Sequence, residues 1–477
     1  MSNNLLIPTQ FPVTCHTDFV GQGSTFVAIK GYKQDGISYI PLAIEKGART
    51  IVVANSAIIP SALQQEITQK NISLIRVQNT RHALAILSAQ AADYPADRLC
   101  IIGITGTKGK TTTSFLLEHI IKKAGHKTAL LSTVHNKIGD TVFAAPLTTA
   151  QPDYLHQFLK LCVQEKVRYV IVEVAAQALS MHRVAGIFFD GIIFTNFSQE
   201  HGEFYSSLES YFQAKCAIFE HAKPNIPIFI NQDDIWCKRL LERYPKLETF
   251  SITQESLWKA ELLREAPHVT ITMSNKTFAL ACPIDVPALL GAFNGYNIIA
   301  AAGMALKLGF SLQDIVHAGT TFSGVPGRMQ RYQLQNGAAC IIDYAHNPSS
   351  FEQLFIFLKK ITPHLIVVFG AGGERGHDKR PIMGQLAALY ADTIILTTDN
   401  PRSENPHDII NDIISGVPEE KKVNILIELD REQAIKKAYA CSQNNSIIAL
   451  LGKGPEEYQI VGNTKHYFSE SEIVKQL

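Results

Sequence analysis

Paired cysteines, long apolar runs and an excess of either charge are all missing from this sequence. Its eight cysteines are scattered, Cys216 and Cys237 being the nearest two, and none forms a C-x-x-C pair. That pattern excludes a zinc ribbon and a secreted disulfide scaffold, and leaves reduced thiols in a cytoplasmic setting as the expectation. No apolar run approaches the ~18 residues of a membrane span. The longest, such as Leu365-Ile-Val-Val-Phe369, have the length of a strand. The opening Met1-Ser-Asn-Asn-Leu-Leu-Ile-Pro8 has no basic segment ahead of an apolar core, so it does not read as a signal peptide. Lys and Arg number 44 against 43 Asp and Glu, a balance that supplies neither a nucleic-acid-binding tail nor a polybasic membrane patch.

What is present is apolar bulk. Hydrophobic residues make up 46% and charged residues 18% of 477, which is enough for several cores and excludes a mainly disordered chain. At roughly 150 residues per domain, about three domains are expected. The pattern divides into blocks at 1–98, 99–325 and 326–477. The first has short apolar runs at 25–29, 50–53 and 73–77, with helical patterns at 39–45 and 81–92, and reads as a small α/β unit. The second opens on a buried-type strand at 99–105, a glycine-rich turn, a helix at 111–124 and a strand at 128–132, which is one βαβ unit. Further strands read at 167–174 and 191–195, and a helix at 208–219. The third alternates strands at 365–369, 393–398, 424–427 and 447–451 with helical patterns, which predicts a doubly wound parallel sheet.

The turn of the second block reads Gly103-Ile-Thr-Gly106-Thr107-Lys108-Gly109-Lys110-Thr111-Thr112. Backbone N–H groups at a helix N-terminus, reached through a glycine turn, bind phosphate because the dipole and the unpaired donors point the same way. Lys110 would reach the outer phosphates and the Thr111 hydroxyl a magnesium ion. Gly103 stands one residue too far from Gly109 for the usual P-loop spacing.

In the third block three strands are each followed by a polar loop: Gly370-Ala-Gly-Gly-Glu-Arg375 with Arg380 beyond it, Asp399-Asn400-Pro-Arg402, and Gly452-Lys-Gly-Pro-Glu456. In an open parallel sheet these loops share one edge, where ligands bind. Arg380 and Arg402 suit carboxylates, and Asp399 and Glu456 suit an ammonium. A ligand with two amines and two carboxylates would use both sets.

The segment Gly106-Thr-Lys-Gly-Lys-Thr-Thr112 resembles the nucleotide loop of the Mur ligase family, which shares its spacing. Further stretches resemble that family in the same order: Thr148-Thr149, Glu173-Val174, His182-Arg183-Val184, Thr195-Asn196-Phe-Ser198, Asn231-Gln-Asp-Asp234, Gly291-Ala-Phe-Asn294 with Asn297, Val325-Pro-Gly-Arg328, Asp343-Tyr-Ala-His346, Lys379-Arg380-Pro and Asp399-Asn-Pro-Arg402. The resemblance implies an α/β protein of three domains: a UDP-sugar-binding domain, a central P-loop-type parallel-sheet ATPase, and a C-terminal Rossmann-like doubly wound domain for the incoming amino acid. It implies ATP- and Mg²⁺-dependent addition of meso-diaminopimelate to UDP-MurNAc-L-Ala-D-Glu through an acyl phosphate, in peptidoglycan precursor synthesis, by a monomer that meets neither nucleic acid nor membrane.

By the same resemblance Gly106, Thr107, Lys108, Gly109, Lys110, Thr111, Thr112, Asn294, Arg328 and Asp343 serve ATP. Lys110, Glu173 and Lys215 serve catalysis, and Thr111, Glu173, His201 and Lys215 the metal ions. Lys215 would do so as a carbamate (N6-carboxylysine), an anionic oxygen ligand. Thr148, Thr149 and Arg183 fall to the UDP substrate. Arg380, Asp399, Asn400, Arg402, Gly452 and Glu456 fall to the amino acid, and the arginine of Asp-Asn-Pro-Arg is the form that takes meso-diaminopimelate.

The sequence departs from the family at four places. His16-Thr17-Asp18 replaces an Asp-Ser-Arg stretch, Ala175-Ala176-Gln177 replaces Ser-Ser-His, Glu200 replaces an aspartate, and Pro455 replaces a histidine. Two alternatives stay open here: a ligase of this kind with another carboxylate substrate, and a non-catalytic nucleotide-binding regulator.

Overall fold

The computed structural model describes residues 5–31, 34–199, 204–244, 246–277, 280–374 and 376–477. The chain divides into two compact units. One gathers Met1–Leu263, Thr270–Asp285 and Phe293–Thr321; the other gathers Arg264–Val269, Val286–Ala292 and Phe322–Leu477. Among the described residues no helix is long and apolar enough to cross a membrane.

The first unit holds two sheets. The smaller has four parallel strands in chain order, Phe11–Thr14, Val20–Val27, Thr50–Ala54 and Ser73–Val77. The sequence pattern identifies the last three and passes over Phe11–Thr14, a four-residue strand containing Pro12. It also passes over the helix Ser61–Gln69, which buries only Leu63 and Ile67 and so carries a very short apolar stripe.

The larger sheet has eleven strands. At its centre lies Cys100–Thr105, buried on both faces, which explains its unbroken apolar run. Tyr169–Glu173 and Gly191–Phe194 flank it in parallel. Thr128–Leu131 lies one strand farther out, parallel to Tyr169–Glu173, so the βαβ crossover skips a strand. Gly103 in the central strand faces the Phe189 ring, and a Cβ there would lie 2.9 Å from it.

The crossover helix, Lys110–Lys123, starts after Gly109 and ends with two lysines opposite the negative end of its dipole. Gly125, at φ +87°, then turns the chain. The expected helix at 208–219 runs as an α-helix only over Leu208–Cys216 and tightens into a 3₁₀ turn, Ala217–His221. Both margins of the sheet lie outside the sequence reading: the hairpin Asn136–Ile138/Thr141–Phe143 at one, and Trp258–Arg264, Val269–Asn275 and Leu280–Val286 at the other.

The second unit is built on six strands ordered Gln330–Gln333, Ala339–Asp343, Ser446–Leu451, His364–Phe369, Thr393–Leu396 and Ile425–Ile427. All neighbours are parallel except the first pair. Alternate residues of His364–Phe369 enter opposite cores: Leu365, Val367 and Phe369 one, Ile366 and Val368 the other. Each buried side chain of this kind contributes ~1.5–3 kcal/mol, and the double covering is what makes the sheet doubly wound. All eight cysteines are free thiols.

Candidate active site

The phosphate loop depends on two glycines. Gly106 sits at φ +136°, and a Cβ on it would lie 2.0 Å from the Thr195 hydroxyl oxygen. Gly109 sits at φ +82°, and a Cβ there would lie 2.4 Å from Asn297 Oδ1. Only glycine meets both the dihedral and the space. The segment Thr195–Ser198 braces the turn. Asn196 Oδ1 accepts from Lys108 N at 2.8 Å, Asn196 O accepts from Thr107 N at 2.9 Å, and Thr195 Oγ1 donates to Lys108 O at 2.6 Å. In the sequence this motif carries the family resemblance alone and no role of its own. Its signal is position, because it ends the strand next to the one that feeds the loop.

Lys110 curls back over the turn, its Nζ donating to Gly106 O at 2.9 Å and to Thr107 O at 2.8 Å. Lys215, almost wholly buried, donates from its own Nζ to the same Gly106 O at 2.8 Å and lies 4.7 Å from the centre of the Tyr211 ring. Two ammonium groups thus border the loop.

Glu173, fully buried at the end of its strand, accepts from the Thr111 hydroxyl at 3.1 Å. It also accepts from Thr133 N at 3.2 Å and Thr133 Oγ1 at 3.1 Å. Thr133 is absent from the sequence reading. Its hydroxyl also lies 3.1 Å from that of Thr148. Thr149 donates to Glu173 O at 2.8 Å, and Arg183 Nη1 donates to Thr149 O at 2.9 Å. Thr111, Thr148, Thr149, Glu173 and Arg183 therefore form one connected network. Thr112, on the next position of the loop helix, is half-buried.

Among the described residues no group of three or more His, Cys, Asp and Glu is placed to hold a metal. His201 lies outside the described residues. The Thr111–Glu173 pair still fits magnesium, which takes one or two hard protein oxygens and completes its shell with water and phosphate.

The ATP-side residues are split between the units. Asn294 is buried in the first, accepting from Asn297 Nδ2 at 2.7 Å, while Asn297 Oδ1 accepts from Thr113 on the loop helix at 3.2 Å. Arg328 and Asp343 are in the second. The guanidinium of Arg328 lies 4.7 Å from the Tyr344 ring centre, and its buried Nε has no hydrogen-bond partner among the described residues. Asp343 accepts from Met329 N and Ala345 N, each at 2.8 Å, and so caps a turn. Burial pushes its carboxyl above the usual range while the Arg328 charge pulls it down.

In the second unit the three polar loops meet. Asn400 Nδ2 donates to Glu456 Oε2 at 2.9 Å, and Arg402 Nη1 donates to Gly373 O at 2.7 Å. Glycine permits the nesting: a Cβ on Gly452 would lie 2.6 Å from Asp399 Oδ2, and one on Gly373 1.9 Å from Pro401 O. Arg375 lies outside the described residues.

Arg380 is placed differently from an arginine open to a ligand. It is fully buried, and its guanidinium pairs with Glu404 and Asp412 at 2.8 Å each and donates to Gly372 O at 3.1 Å. It ties the first loop, through Gly372 O, to Glu404 just beyond the second. Glu404 and Asp412 are absent from the sequence reading because their partner is set by packing.

A glycine turn between a buried strand and a helix, lined by two lysines and a threonine–glutamate pair, defines a nucleotide-using α/β enzyme. Residues 13–92, 104–305 and 327–454 match, in turn, the catalytic domain of the Mur ligase family, the Mur ligase middle domain, and the Mur ligase glutamate ligase domain. The chain is 37% identical over 465 residues to the UDP-N-acetylmuramoyl-L-alanyl-D-glutamate–2,6-diaminopimelate ligase of Clostridium perfringens, covering 95% of this chain and 92% of the relative. It is 35% identical over 474 residues to the ligase of the same name from Aquifex aeolicus, covering 98% and 93%. A solved structure of such a ligase superposes with a TM-score of 0.66 at 27% identity, covering 98% of this chain and 94% of that one. A MurF ligase from Thermotoga maritima in complex with ADP shares the fold, with a TM-score of 0.64 at 18% identity, covering 94% and 95%. The chain belongs to the Mur ligase family and is an ATP-dependent ligase that forms amide bonds.

Proposed function

We propose that this protein adds meso-diaminopimelate to UDP-MurNAc-L-Ala-D-Glu in cytoplasmic peptidoglycan precursor synthesis. The observation that carries the choice of amino acid is the meeting of the loops after three adjacent strands, with Arg402, Asp399, Asn400 and Glu456 at one end of the sheet. The set offers both charges to a ligand that bears both at each end. Similarity to ligases of that name along almost the whole chain supports it. In this reading residues 1–98, 99–325 and 326–477 are the UDP-sugar, ATP and amino-acid domains.

The chemistry must bring an anion to a polyanion. A substrate carboxylate oxygen attacks the γ-phosphorus, the bridging P–O bond breaks, and ADP leaves. The amine nitrogen then attacks the acyl carbon, the C–O bond to phosphate breaks, phosphate leaves, and the nitrogen loses a proton. Lys110 releases its loop carbonyls to reach the transferring group, so charge is spread away from the attacking oxygen. Within Gly106 to Thr112 the Thr107 and Lys108 N–H groups are held by Asn196 and set the turn, the rest of the segment supplies backbone donors, and Asn294 steadies the loop helix through Asn297.

Thr111 and Glu173 would hold Mg²⁺, which supplies further positive charge. For Lys215 to serve a second ion, its neutral Nζ adds to carbon dioxide, a C–N bond forms and a proton leaves. The donor to Gly106 O then becomes an anionic acceptor, and His201 is the further ligand that the family resemblance implies. Thr148, Thr149 and Arg183 orient the UDP substrate next to Glu173.

The test is phosphate release with ATP, Mg²⁺ and the UDP-dipeptide, with and without meso-diaminopimelate. Release that needs both substrates is expected; release indifferent to them overturns the reading. A second reading, another carboxylate substrate, has one observation in its favour. The Asp18 carboxylate, where the family has a base, is exposed and sits 3.6 Å from Lys46 and 3.5 Å from His16. Failure of the UDP-dipeptide to bind would select it.

A further inference from the structure

Lys453 is a charged side chain with no access to solvent. Burying an ammonium is costly unless anions and acceptors surround it. Its Nζ lies 3.3 Å from Asn400 Oδ1 and 3.3 Å from Glu456 Oε2, and 5.6 Å from the centre of the Tyr458 ring. Asn400 Nδ2 in turn donates to the same Glu456 oxygen at 2.9 Å. The three side chains form a closed triangle, and Asn400 Oδ1 is further fixed by Ile460 N at 2.9 Å.

Two features set this lysine apart from a structural ion pair. Its contacts are long for a charge-assisted bond, whose usual length is about 2.7–2.9 Å. Glu456, which the Tyr458 hydroxyl also contacts, is therefore oriented while its side chain stays partly exposed, and it can take a shorter bond from another ammonium. Its charge is also felt beyond the triangle. Glu470, bound to Arg431 at 2.8 Å, feels both Lys453 and Asp399.

We propose that Lys453 is a positioning residue for the amino-acid substrate. It pins Glu456 and Asn400 as a pair, so the pocket presents a fixed carboxylate to the incoming ammonium. This rests on the reading of the loops as the diaminopimelate site.

The experiment is a double-mutant cycle of Lys453→Met and Glu456→Gln, with KM for meso-diaminopimelate and for ATP measured at saturating UDP-dipeptide. Lys453→Met should raise the diaminopimelate KM about tenfold or more, the effect of leaving one buried charged partner unpaired, and should leave the ATP KM within about twofold. In the Glu456→Gln background the same substitution should add less than about twofold, because the partner through which it acts is already altered. Equal rises in both KM values, or a full effect in the Glu456→Gln background, overturn the proposal. If Lys453→Met does not fold, Lys453→Gln, which keeps a donor, is read by the same criteria. A wild type that needs no diaminopimelate removes the parent reading and this one with it. A wild type that needs it, beside an unchanged Lys453→Met, removes this one alone.

Discussion

Lys110 and Lys215, 105 positions apart in sequence, converge on one acceptor: both Nζ atoms donate to the carbonyl of Gly106, at 2.9 and 2.8 Å. One carbonyl holding both lysines gathers their amines at the phosphate loop. Lys110→Met should lower phosphate release by about 100-fold or more, the scale of losing one electrostatic contact in a closed site. Lys215→Met should also lose activity, with a different signature. Wild-type activity should fall in carbon dioxide-depleted buffer and return with bicarbonate, while the Lys215 variant should not respond. A wild type insensitive to bicarbonate removes the carbamate.

Gly106→Ala should damage the loop far more than Gly125→Ala. Both positions have positive φ, so both substitutions carry backbone strain of ~1–3 kcal/mol. Only Gly106 also meets an atom, with its Cβ 2.0 Å from Thr195 Oγ1, whereas Gly125 faces nothing within 4 Å. Denaturant midpoints should show a loss at both sites, and the ATP KM should rise only for Gly106→Ala. A rise at both would mean that strain alone governs the loop.

Such local features were legible in the sequence because they depend on neighbours along the chain. The strand, glycine turn and helix around Lys110 follow from periodicity and two backbone conformations. The parallel sheet of the second unit follows from apolar runs such as 365–369 and 447–451. The first strand, Phe11–Thr14, was not legible because four residues with a proline carry little pattern. Val269–Asn275 was legible in principle: its buried Val269, Ile271 and Met273 alternate with less buried neighbours, which is a strand signature. At the site, Thr133, Glu404, Asp412 and Lys453 were hidden because each owes its role to a partner brought in by folding. Arg380 was visible as an arginine near a ligand loop. That both its sides would be taken by Glu404 and Asp412 was not.

His156 predicts an acid limit on the stability of the first unit. It is fully buried, and among the described residues neither ring nitrogen has a hydrogen-bond partner of good geometry. Burial lowers its pKa from 6.5 to about 4, against a smaller upward pull from the Ala185 backbone. The folded state therefore holds the ring neutral, while the unfolded chain takes up a proton below pH 6.5. The stability associated with the neutral ring is fully present above pH 6.5 and is lost as pH falls toward 4. At pH 5.5 the loss is about 1.4 kcal/mol, one unit below the unfolded value. Thermal unfolding at pH 7.5 and 5.5 should show a smaller acid-induced drop in His156→Leu than in wild type; equal drops would assign the acid sensitivity to other groups.

Arg402 separates recognition of the amino acid from handling of the nucleotide. Its backbone is in the left-handed region, at φ +52°, and its N–H is held by Ile460 O at 3.1 Å. The side chain bonds Gly373 O at 2.7 Å, which leaves its remaining guanidinium donors for a carboxylate. Arg402→Lys keeps the charge but loses the planar fork, so it should raise the diaminopimelate KM nearly as much as Arg402→Ala. Both should leave the ATP KM within about twofold, since uniform loss of amino-acid binding does not alter nucleotide affinity. If lysine restored the wild-type KM, charge alone would suffice and the bidentate role would be wrong. If the ATP KM rose in parallel, the residue would be acting through the stability of the loop rather than on the substrate.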